Sequence, residues 1–298
     1  MQLDFSIVVP VYNRADIIKE TIPHILSQEY ENYEVIVVDD GSTDNTWDTL
    51  QTIKHPRLKI FKKNNAERAA ARNFGGFKAS GKYINFFDCD DEMYSNHLSI
   101  AKKIIDYNNN PELLHTCYEF KDEKGNILSK TSVPPEGTAN HLIKNNFLAC
   151  NTVFVRSDIF KQNPFNETRA LSSAEDWEIW LRLVSRFPIV NTNEITFAII
   201  EHGERSLNNI SPEKIEARNL ELNKALAADQ PFLNFYGKKS AWFFANSLTF
   251  IALSFANHHS TKYKSLSYLS KAFATYPPIL FSKRYLATIK NLFIRFER

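Results

Sequence analysis

The stretch YINFFDCDDEMY, residues 83–94, places an apolar run directly before a cluster of carboxylates. The β-branched and aromatic residues of YINFF predict a buried strand. Four carboxylates follow within five residues: Asp88, Asp90, Asp91 and Glu92. Because oxygen ligands suit Mg²⁺ or Mn²⁺, and Cys89 has no second Cys or His at ligand spacing, the cluster favours a hard cation over zinc. Taken alone, the pattern also fits a solvated acidic turn.

Two earlier apolar runs end in polar residues in the same way. They are FSIVVPVYN, residues 5–13, and YEVIVVDDGSTDNT, residues 33–46. Helical spacing separates the predicted strands, first in ADIIKETIPHILSQ and later in NAERAAARNFGGFKAS, which we expect Gly81 to end. Alternating strands and helices predict right-handed crossovers and a doubly wound, mostly parallel sheet of the α/β class. Its strand ends bring PVYN, DDGSTD and DCDD to one crevice.

The rest of the chain divides into an irregular middle and a helical end. HTCYEFKDEKGNILSK predicts two strands around a turn, NTVFVRSDIF a strand that enters a helix, SAEDWEIWLRLVSRF a helix and EITFAIIEHGERS a strand. Beyond Ser211 every pattern is helical. We therefore expect an α/β domain at residues 1–210 and a C-terminal helical region at residues 211–298.

The charge distribution also separates the two regions. The 298 residues carry a net charge of +2, with 43% hydrophobic and 23% charged residues, as is ordinary for a globular protein. Residues 238–298 carry +9 and the rest −7. We find no signal-peptide pattern and no apolar run of membrane-spanning length. Three unpaired cysteines predict reduced thiols, and with these features a cytoplasmic location.

The chain resembles the family 2 glycosyltransferases, which have the GT-A fold, over roughly residues 4–210. The resemblance rests on five blocks in the family's order: SIVVPVYNR, VIVVDDGSTDNT, ERAAARNFG, GKYINFFDCDD and AEDWEIWLR. It implies an inverting, metal-dependent transfer of a hexosyl or N-acetylhexosaminyl group. The donor would be a nucleotide-diphosphate sugar, with a UDP-sugar favoured, and the acceptor a hydroxyl of a saccharide or lipid-linked saccharide. The family's setting is cell-surface polysaccharide or glycolipid synthesis.

Several residues match positions that hold the nucleotide in this family. Pro10, Tyr12 and Asn13 match the first-strand loop that lines the base, although they also fit a simple strand cap. Asp39 matches the acid that accepts a hydrogen bond from a uracil-type NH. An acidic pair could also form a receiver-type phosphorylation pocket, but that pocket needs the pair after the first strand, which here ends in PVYN.

Further matches surround the diphosphate and the metal. Arg72 matches an arginine near the base and phosphates, and Asp88 an acid near the ribose. Asp90 matches the ligand of Mn²⁺ or Mg²⁺. This chain has Glu67 where the family often has glycine, which leaves the local backbone and any role of Arg68 open.

Two acids and one histidine complete the implied site. Asp176 matches the catalytic base and Glu175 its companion, although an acidic first helical turn is favoured by the helix dipole in any case. His202 matches a loop histidine that can supply a further metal ligand, and it equally fits an ordinary loop histidine.

Two other functions fit parts of the pattern. A nucleotidyltransferase would carry a glycine-rich phosphate loop after the first strand, and VPVYNRAD has none. A non-catalytic sugar-nucleotide-binding relative would be expected to lack an acid of DCD or ED, and both motifs are intact. The basic, aromatic tail fits a packed helical cap, a peripheral contact with the inner membrane face, or a homodimer surface. We expect no nucleic-acid partner.

Overall fold

Apolar β-branched runs form a nine-stranded sheet in the first of two units, Met1–Arg205, and helices make up the second, Ser206–Arg298. The computed structural model describes residues 3–201, 210–256 and 261–294. The strands are β1 (Phe5–Val11), β2 (Tyr33–Asp39), β3 (Leu58–Lys62), β4 (Tyr83–Phe86), β5 (Glu92–Met93), β6 (Leu113–Asp122), β7 (Ile127–Lys130), β8 (Val153–Arg156) and β9 (Ile189–Glu201). The helices of this unit are α1 (Ile18–Leu26), α2 (Thr46–Thr52), α3 (Glu67–Lys78), α4 (His97–Tyr107), α5 (Thr138–Leu142), α6 (Ser157–Gln162) and α7 (Glu175–Val184).

The sheet has the strand order β3-β2-β1-β4-β8-β6-β9-β5, with β7 paired to β6. The strands β1 to β4 pair in parallel, as do β6 and β9. This confirms the α/β class, while beyond β4 the pairing becomes mixed. Because β8 runs antiparallel to β4, the turn before β8 reaches the carboxyl edge of β4. That turn, Cys150–Thr152, therefore lies beside the acidic stretch.

The core of the unit is built from strands that are buried on both faces. All seven residues of β1 and all seven of β2 are buried, which explains why apolar residues dominate both strands. The polar Ser6 and Glu34 hydrogen-bond to each other across the pair. Pro10 lies inside β1, two residues beyond the last β1–β4 pair, Val8 with Phe86. Its missing N–H therefore leaves no bond of that ladder unmade. Pro23 lies inside α1.

Two glycines let α3 pack directly on its neighbours. A Cβ atom on Gly75 would lie 2.4 Å from Val8 Cγ1, and one on Gly76 would lie 2.2 Å from a ring carbon of Phe160. Both distances are shorter than any carbon–carbon contact in a packed protein. Glycine at both positions therefore sets the separation between α3, the sheet and α6.

The end of α3 differs from our expectation. The helix ends at Lys78, and Ala79 already has extended backbone angles, so Gly81 does not end it. A Cβ atom on Gly81 would lie 2.4 Å from the backbone carbon of Phe5. Glycine is needed there because the chain passes close to β1.

The second unit is helical, as predicted from Ser211 onward. Its helices are α8 (Pro212–Ala227), α9 (Gln230–Tyr236), α10 (Lys238–Ala256), α11 (Lys262–Thr275) and α12 (Lys283–Ile294). Ser211 Oγ caps α8 by accepting a bond from the backbone N–H of Lys214. A core around Phe255, Leu269 and Leu292 joins α10, α11 and α12. Within the described ranges, none of the helices has the length and apolarity needed to cross a bilayer.

Candidate active site

The loops after β1 and β2 are bound to each other at the carboxyl edge of the sheet. The backbone N–H of Asn13 donates to Ser42 Oγ at 3.0 Å, and Asn13 Oδ1 accepts from the N–H of Thr43 at 2.9 Å. Asn13 has a φ of +50°, a left-handed conformation that asparagine adopts more readily than most residues. Tyr12, immediately before it, is 45% exposed. The predicted nucleotide residues thus form one wall, with the Tyr12 ring accessible to a ligand.

The two aspartates at the end of β2 have different surroundings. Asp40 accepts a bond from Lys63 Nζ at 2.7 Å and one from the N–H of Ala66 at 3.1 Å, so it joins the start of α3 to the sheet. Asp39 is fully buried, and its Oδ1 accepts from the N–H of Ser42. Its Oδ2 lies 3.7 Å from Lys62 Nζ and has no hydrogen-bond partner among the described residues. A buried acceptor of this kind can recognise an N–H of a ligand.

The acidic turn after β4 is held by the amide of Asn151, which is completely buried. Asn151 Oδ1 accepts from the backbone N–H of Asp88 at 3.2 Å, and its Nδ2 donates to Asp91 Oδ2 at 2.8 Å. Asp91 Oδ1 also accepts from the N–H of Ile200 near the end of β9. Asp91 therefore has a structural position, and one amide fixes both ends of the turn.

Arg72 connects this turn to α7. Its Nη2 donates to Asp88 Oδ1 at 2.7 Å and its Nη1 to Glu175 Oε1 at 2.9 Å, while the guanidinium lies 5.5 Å from the ring centroid of Phe165. The Arg72 side chain is 2% exposed. Glu175 Oε2 is buried and lacks a hydrogen-bond partner in the described part of the chain. Three residues predicted separately for the site thus form one charge cluster, in which Arg72 and Glu175 are buried and Asp88 is partly exposed.

Asp176 lies beside this cluster on the first turn of α7. Its Oδ2 accepts from Asn146 Nδ2 at 3.0 Å, and its Oδ1 accepts from the N–H of Trp177. Desolvation first, and the neighbouring Glu175 carboxylate second, raise the pKa of Asp176 to about 6, against the opposing effect of Arg72. A carboxylate with this pKa binds protons near neutral pH and can act as a general base.

Two residues next to the cluster adopt backbone conformations that glycine adopts without strain. Glu67, at the start of α3, has a φ of +75°, and Ser173, two residues before Glu175, has a φ of +69°. The position where the resembled family often has glycine is therefore left-handed in this chain, at a cost of about 1–2 kcal/mol for a residue with a Cβ. Desolvation lowers the pKa of Arg68, but the carboxylates of Asp88, Glu175 and Asp90 together raise it above its usual value.

The donor chemistry of the acidic turn fits a divalent cation. Asp90 is 31% exposed and lies 3.8 Å from Arg14 Nη2, and the Asp88 side chain is 28% exposed. No group of three or more acidic, histidine or cysteine side chains in metal-binding geometry occurs in the described ranges. Mg²⁺ and Mn²⁺ are commonly held by one or two carboxylates together with substrate phosphates, so two aspartates suffice. The predicted ligand His202 lies outside the described residues.

Three residues near the site were not expected from the sequence: Asn146, Asn151 and Arg14. Asn151 and Asn146 hold Asp88 and Asp176, yet asparagine in a loop normally reads as a turn residue. Arg14 follows PVYN directly and its Nη2 lies 3.8 Å from Asp90 Oδ2, so a cation at the end of the first strand was a usable signal.

Comparisons with known proteins agree with this geometry. The sequence model of Glycosyl transferase family 2 matches residues 6–160. An uncharacterized glycosyltransferase of Rickettsia bellii is 37% identical over 184 residues, 61% of this chain and 26% of that protein. The chain thus spans about a quarter to a third of the length of this and two similar Rickettsia proteins. The Escherichia coli UDP-Glc:alpha-D-GlcNAc-diphosphoundecaprenol beta-1,3-glucosyltransferase WfaP is 32% identical over 207 residues, 68% of this chain and 80% of that protein.

Solved structures share the fold over nearly the whole chain. Staphylococcus aureus TarS 1-349, solved in complex with UDP-GlcNAc, has a TM-score of 0.62 at 20% identity, covering 93% of this chain and 92% of that one. The mannosyltransferase PcManGT from Pyrobaculum calidifontis, solved with GDP-Man and Mn²⁺, has a TM-score of 0.57 at 17% identity, covering 99% and 88%. The nine-stranded sheet and its C-terminal helices are therefore a GT-A arrangement with a helical extension.

Proposed function

The chain belongs to glycosyl transferase family 2, and from this we propose that it transfers a hexosyl or N-acetylhexosaminyl group from a nucleoside diphosphate sugar to a saccharide hydroxyl. The observation that carries the proposal is the double contact of Arg72 with Asp88 and Glu175. It joins the acidic turn, where a donor diphosphate would bind, to the helix turn that presents Asp176. In this proposal, donor binding and acceptor activation would take place side by side.

A UDP-sugar is the donor that the first wall of the crevice fits best. The buried Asp39 Oδ2 would accept the uracil N–H, and the exposed ring of Tyr12 would stack on the base. The E. coli relative is named for UDP-Glc, and TarS binds UDP-GlcNAc. PcManGT binds GDP-Man, so the nucleotide must be tested directly.

We assign the metal to Asp90, with Asp88 beside it and His202 as a further ligand. The all-oxygen character of the turn favours Mn²⁺ or Mg²⁺ over zinc, and PcManGT was solved with Mn²⁺. Such a cation, when bound, offsets the negative charge of a diphosphate leaving group. Asn151 would hold the turn that carries Asp88 and Asp90 in the conformation that the cation needs.

Asp176 is the base that this arrangement supports. An ionised Asp176 would accept the proton of the acceptor hydroxyl as its oxygen attacks the anomeric carbon of the sugar. One displacement from the face opposite the leaving diphosphate inverts the anomeric configuration. Because the pKa of Asp176 is about 6, the carboxylate is mostly ionised at pH 7 and still basic enough to take the proton.

The proposed acceptor is a saccharide carried on a lipid diphosphate. The E. coli relative is named for a GlcNAc-diphosphoundecaprenol acceptor. Such an acceptor would bring the chain to the inner face of the cell membrane, in the synthesis of a surface polysaccharide or glycolipid. The basic residues of the second unit are consistent with this location.

The test is release of the nucleotide from UDP-, GDP- and dTDP-sugars, with and without Mn²⁺. We expect UDP release that depends on Mn²⁺, rises when the acceptor is added and falls strongly in Asp176→Asn. Binding without release would instead indicate a non-catalytic sugar-nucleotide-binding protein. Pyrophosphate release from a nucleoside triphosphate and a sugar phosphate would indicate a nucleotidyltransferase.

A further inference from the structure

One face of α12 exposes both apolar and basic side chains. We call this the outer face of α12; it consists of Lys283, Leu286, Ala287, Lys290 and Phe293, all exposed. At 3.6 residues per turn they fall within an arc of about 120°. Leu286 is 55% exposed and Phe293 is 65% exposed, so this face presents two large apolar side chains to its surroundings.

The opposite side of α12 fixes the helix within its own unit. Tyr285, Thr288 and Leu292 are buried there. Arg284 donates to Asn246 Oδ1 at 3.0 Å and lies 5.2 Å from the ring centroid of Phe250, so this cation is used inside the unit. The inner contacts therefore set which residues α12 presents to its surroundings.

The charge of this region is of one sign. Neither aspartate nor glutamate occurs between Asp229 and Glu297, whereas α10, α11 and α12 contain eight lysine or arginine residues. Phe281, two residues before α12, is 85% exposed. A lysine can extend its ammonium group to lipid phosphates while the apolar side chains beside it enter the acyl region.

We propose that the outer face of α12 binds an anionic lipid bilayer, with the helix lying in the plane of the interface. Charge decides between the possible occupants. A two-fold dimer would bring Lys283 and Lys290 against the same residues of the second copy, which repel them, whereas anionic headgroups attract them. This inference extends the lipid-linked acceptor proposed above, but lipid binding can be measured without any transfer activity.

The experiment is co-sedimentation of the full chain with vesicles. We expect binding to vesicles of phosphatidylcholine and phosphatidylglycerol in equal parts at low salt, little binding to pure phosphatidylcholine, and weaker binding as salt rises. The double variant Lys283→Glu, Lys290→Glu should lower the partition coefficient at least about 30-fold. Leu286→Ser with Phe293→Ser should weaken binding even at high salt, where the electrostatic part is screened.

A matched control separates the outer face from net charge. Lys54→Glu with Lys124→Glu changes the charge equally at exposed positions of the first unit and should retain binding. The proposal fails if the wild-type chain stays in the supernatant with anionic vesicles at low salt. It fails equally if the control loses as much binding as the α12 variant, or if the outer-face changes only convert a dimer to a monomer. Thermal unfolding of each variant, followed by circular dichroism, shows that its helices are folded, and loss of transfer activity alone would leave the lipid result standing.

Discussion

Arg72 and Glu175 are 103 positions apart in the sequence, yet Arg72 Nη1 donates a hydrogen bond of 2.9 Å to Glu175 Oε1. The same guanidinium binds Asp88 at 2.7 Å. Two carboxylates thus share one buried cation. The cluster is an anion-rich centre whose geometry depends on a single side chain.

Replacing Arg72 should destabilise the protein as well as inactivate it. Arg72→Ala leaves Glu175 buried without its partner, and breaking such a pair typically costs about 3–5 kcal/mol of unfolding free energy. Arg72→Lys keeps the charge but cannot donate to both carboxylates at once. Its free energy of unfolding should therefore lie between those of the wild type and Arg72→Ala. Urea denaturation measures both. Arg156→Ala, whose partner Asp158 is exposed, is the control and should cost about 1 kcal/mol or less. Equal losses in Arg72→Ala and the control would disprove the cluster's role.

The rate of sugar transfer should depend on the ionisation of Asp176. Because the pKa of Asp176 is about 6, kcat/KM should rise with pH up to about 6 and then level off. Asn146 stabilises the ionised form of Asp176 by donating a hydrogen bond to it. Asn146→Ala should therefore move the rising limb of the pH–rate profile to higher pH. Rates measured from pH 5 to 8 on a soluble acceptor give the limb. An unchanged limb in Asn146→Ala would remove Asp176 as its source.

Asp176→Asn should also make the folded protein more stable at neutral pH. The pKa of Asp176 is raised on folding, so the folded state favours the protonated form and ionisation above about pH 6 costs stability. Asparagine avoids that cost, and after allowance for its partial exposure we expect a gain of about 1–2 kcal/mol. The gain should disappear below about pH 4, where the wild-type carboxyl is protonated in both states. Thermal unfolding at pH 7.5 and pH 4 tests this, and a gain of the same size at both would exclude the explanation.

Asn151 should control metal-dependent donor binding without touching the donor. Asn151→Ala removes the hydrogen-bond partner of Asp91 Oδ2 and of the Asp88 N–H. The acidic turn would then no longer be held in its present conformation. Loss of a group that orients a metal ligand typically costs about 10–100-fold in metal affinity. Calorimetric titration of UDP with and without Mn²⁺ measures the loss, with the exposed Asn145→Ala as control. A loss of equal size in the absence of Mn²⁺ would contradict a role in the turn's geometry.

Asp90→Ala should abolish the part of UDP affinity that depends on Mn²⁺. Asp90 is the partly exposed acid that we assign to the metal, and Asp91 cannot replace it because Asn151 and Ile200 hold its carboxylate. Glu92→Gln is a matched control at the start of β5, directly after the turn, since Glu92 pairs with Lys121. The same calorimetric titration applies, and unchanged Mn²⁺-dependent affinity in Asp90→Ala would reject Asp90 as a ligand.

The parts of the fold that the sequence predicted are those with local signals. The strands YINF and YEVIVVD are mainly apolar runs next to turn residues, as expected for strands that are buried on both faces. The resemblance indicated that the family often has glycine at the position of Glu67. The φ of +75° at Glu67 explains that preference, because glycine adopts such a backbone without strain. The end of α3 was wrong because Gly81 is required by its approach to Phe5 and not by a helix end.

The parts that were missed depend on contacts across the sheet. Asn151 reaches Asp88 because β8 runs antiparallel to β4, and no local pattern gives the direction of that pairing. Asn146 contacts Asp176 because α5 and the loop after it pack near α7. No periodic pattern in the sequence predicts that packing. For the basic tail, composition could not separate Arg284, bound to Asn246, from Lys283 and Lys290 on the exposed side.

The glycine pair of α3 determines how this site can evolve. Arg72 lies one turn before Gly75 and Gly76, so the position of the guanidinium follows from how closely that helix meets Val8 and Phe160. Every substitution of either glycine adds at least a Cβ atom, and even alanine would push the helix away from β1 or α6. We therefore expect no conservative substitution to be tolerated at Gly75 or Gly76. A change in donor preference must arise in the loops around the crevice, where side chains can vary without moving Arg72.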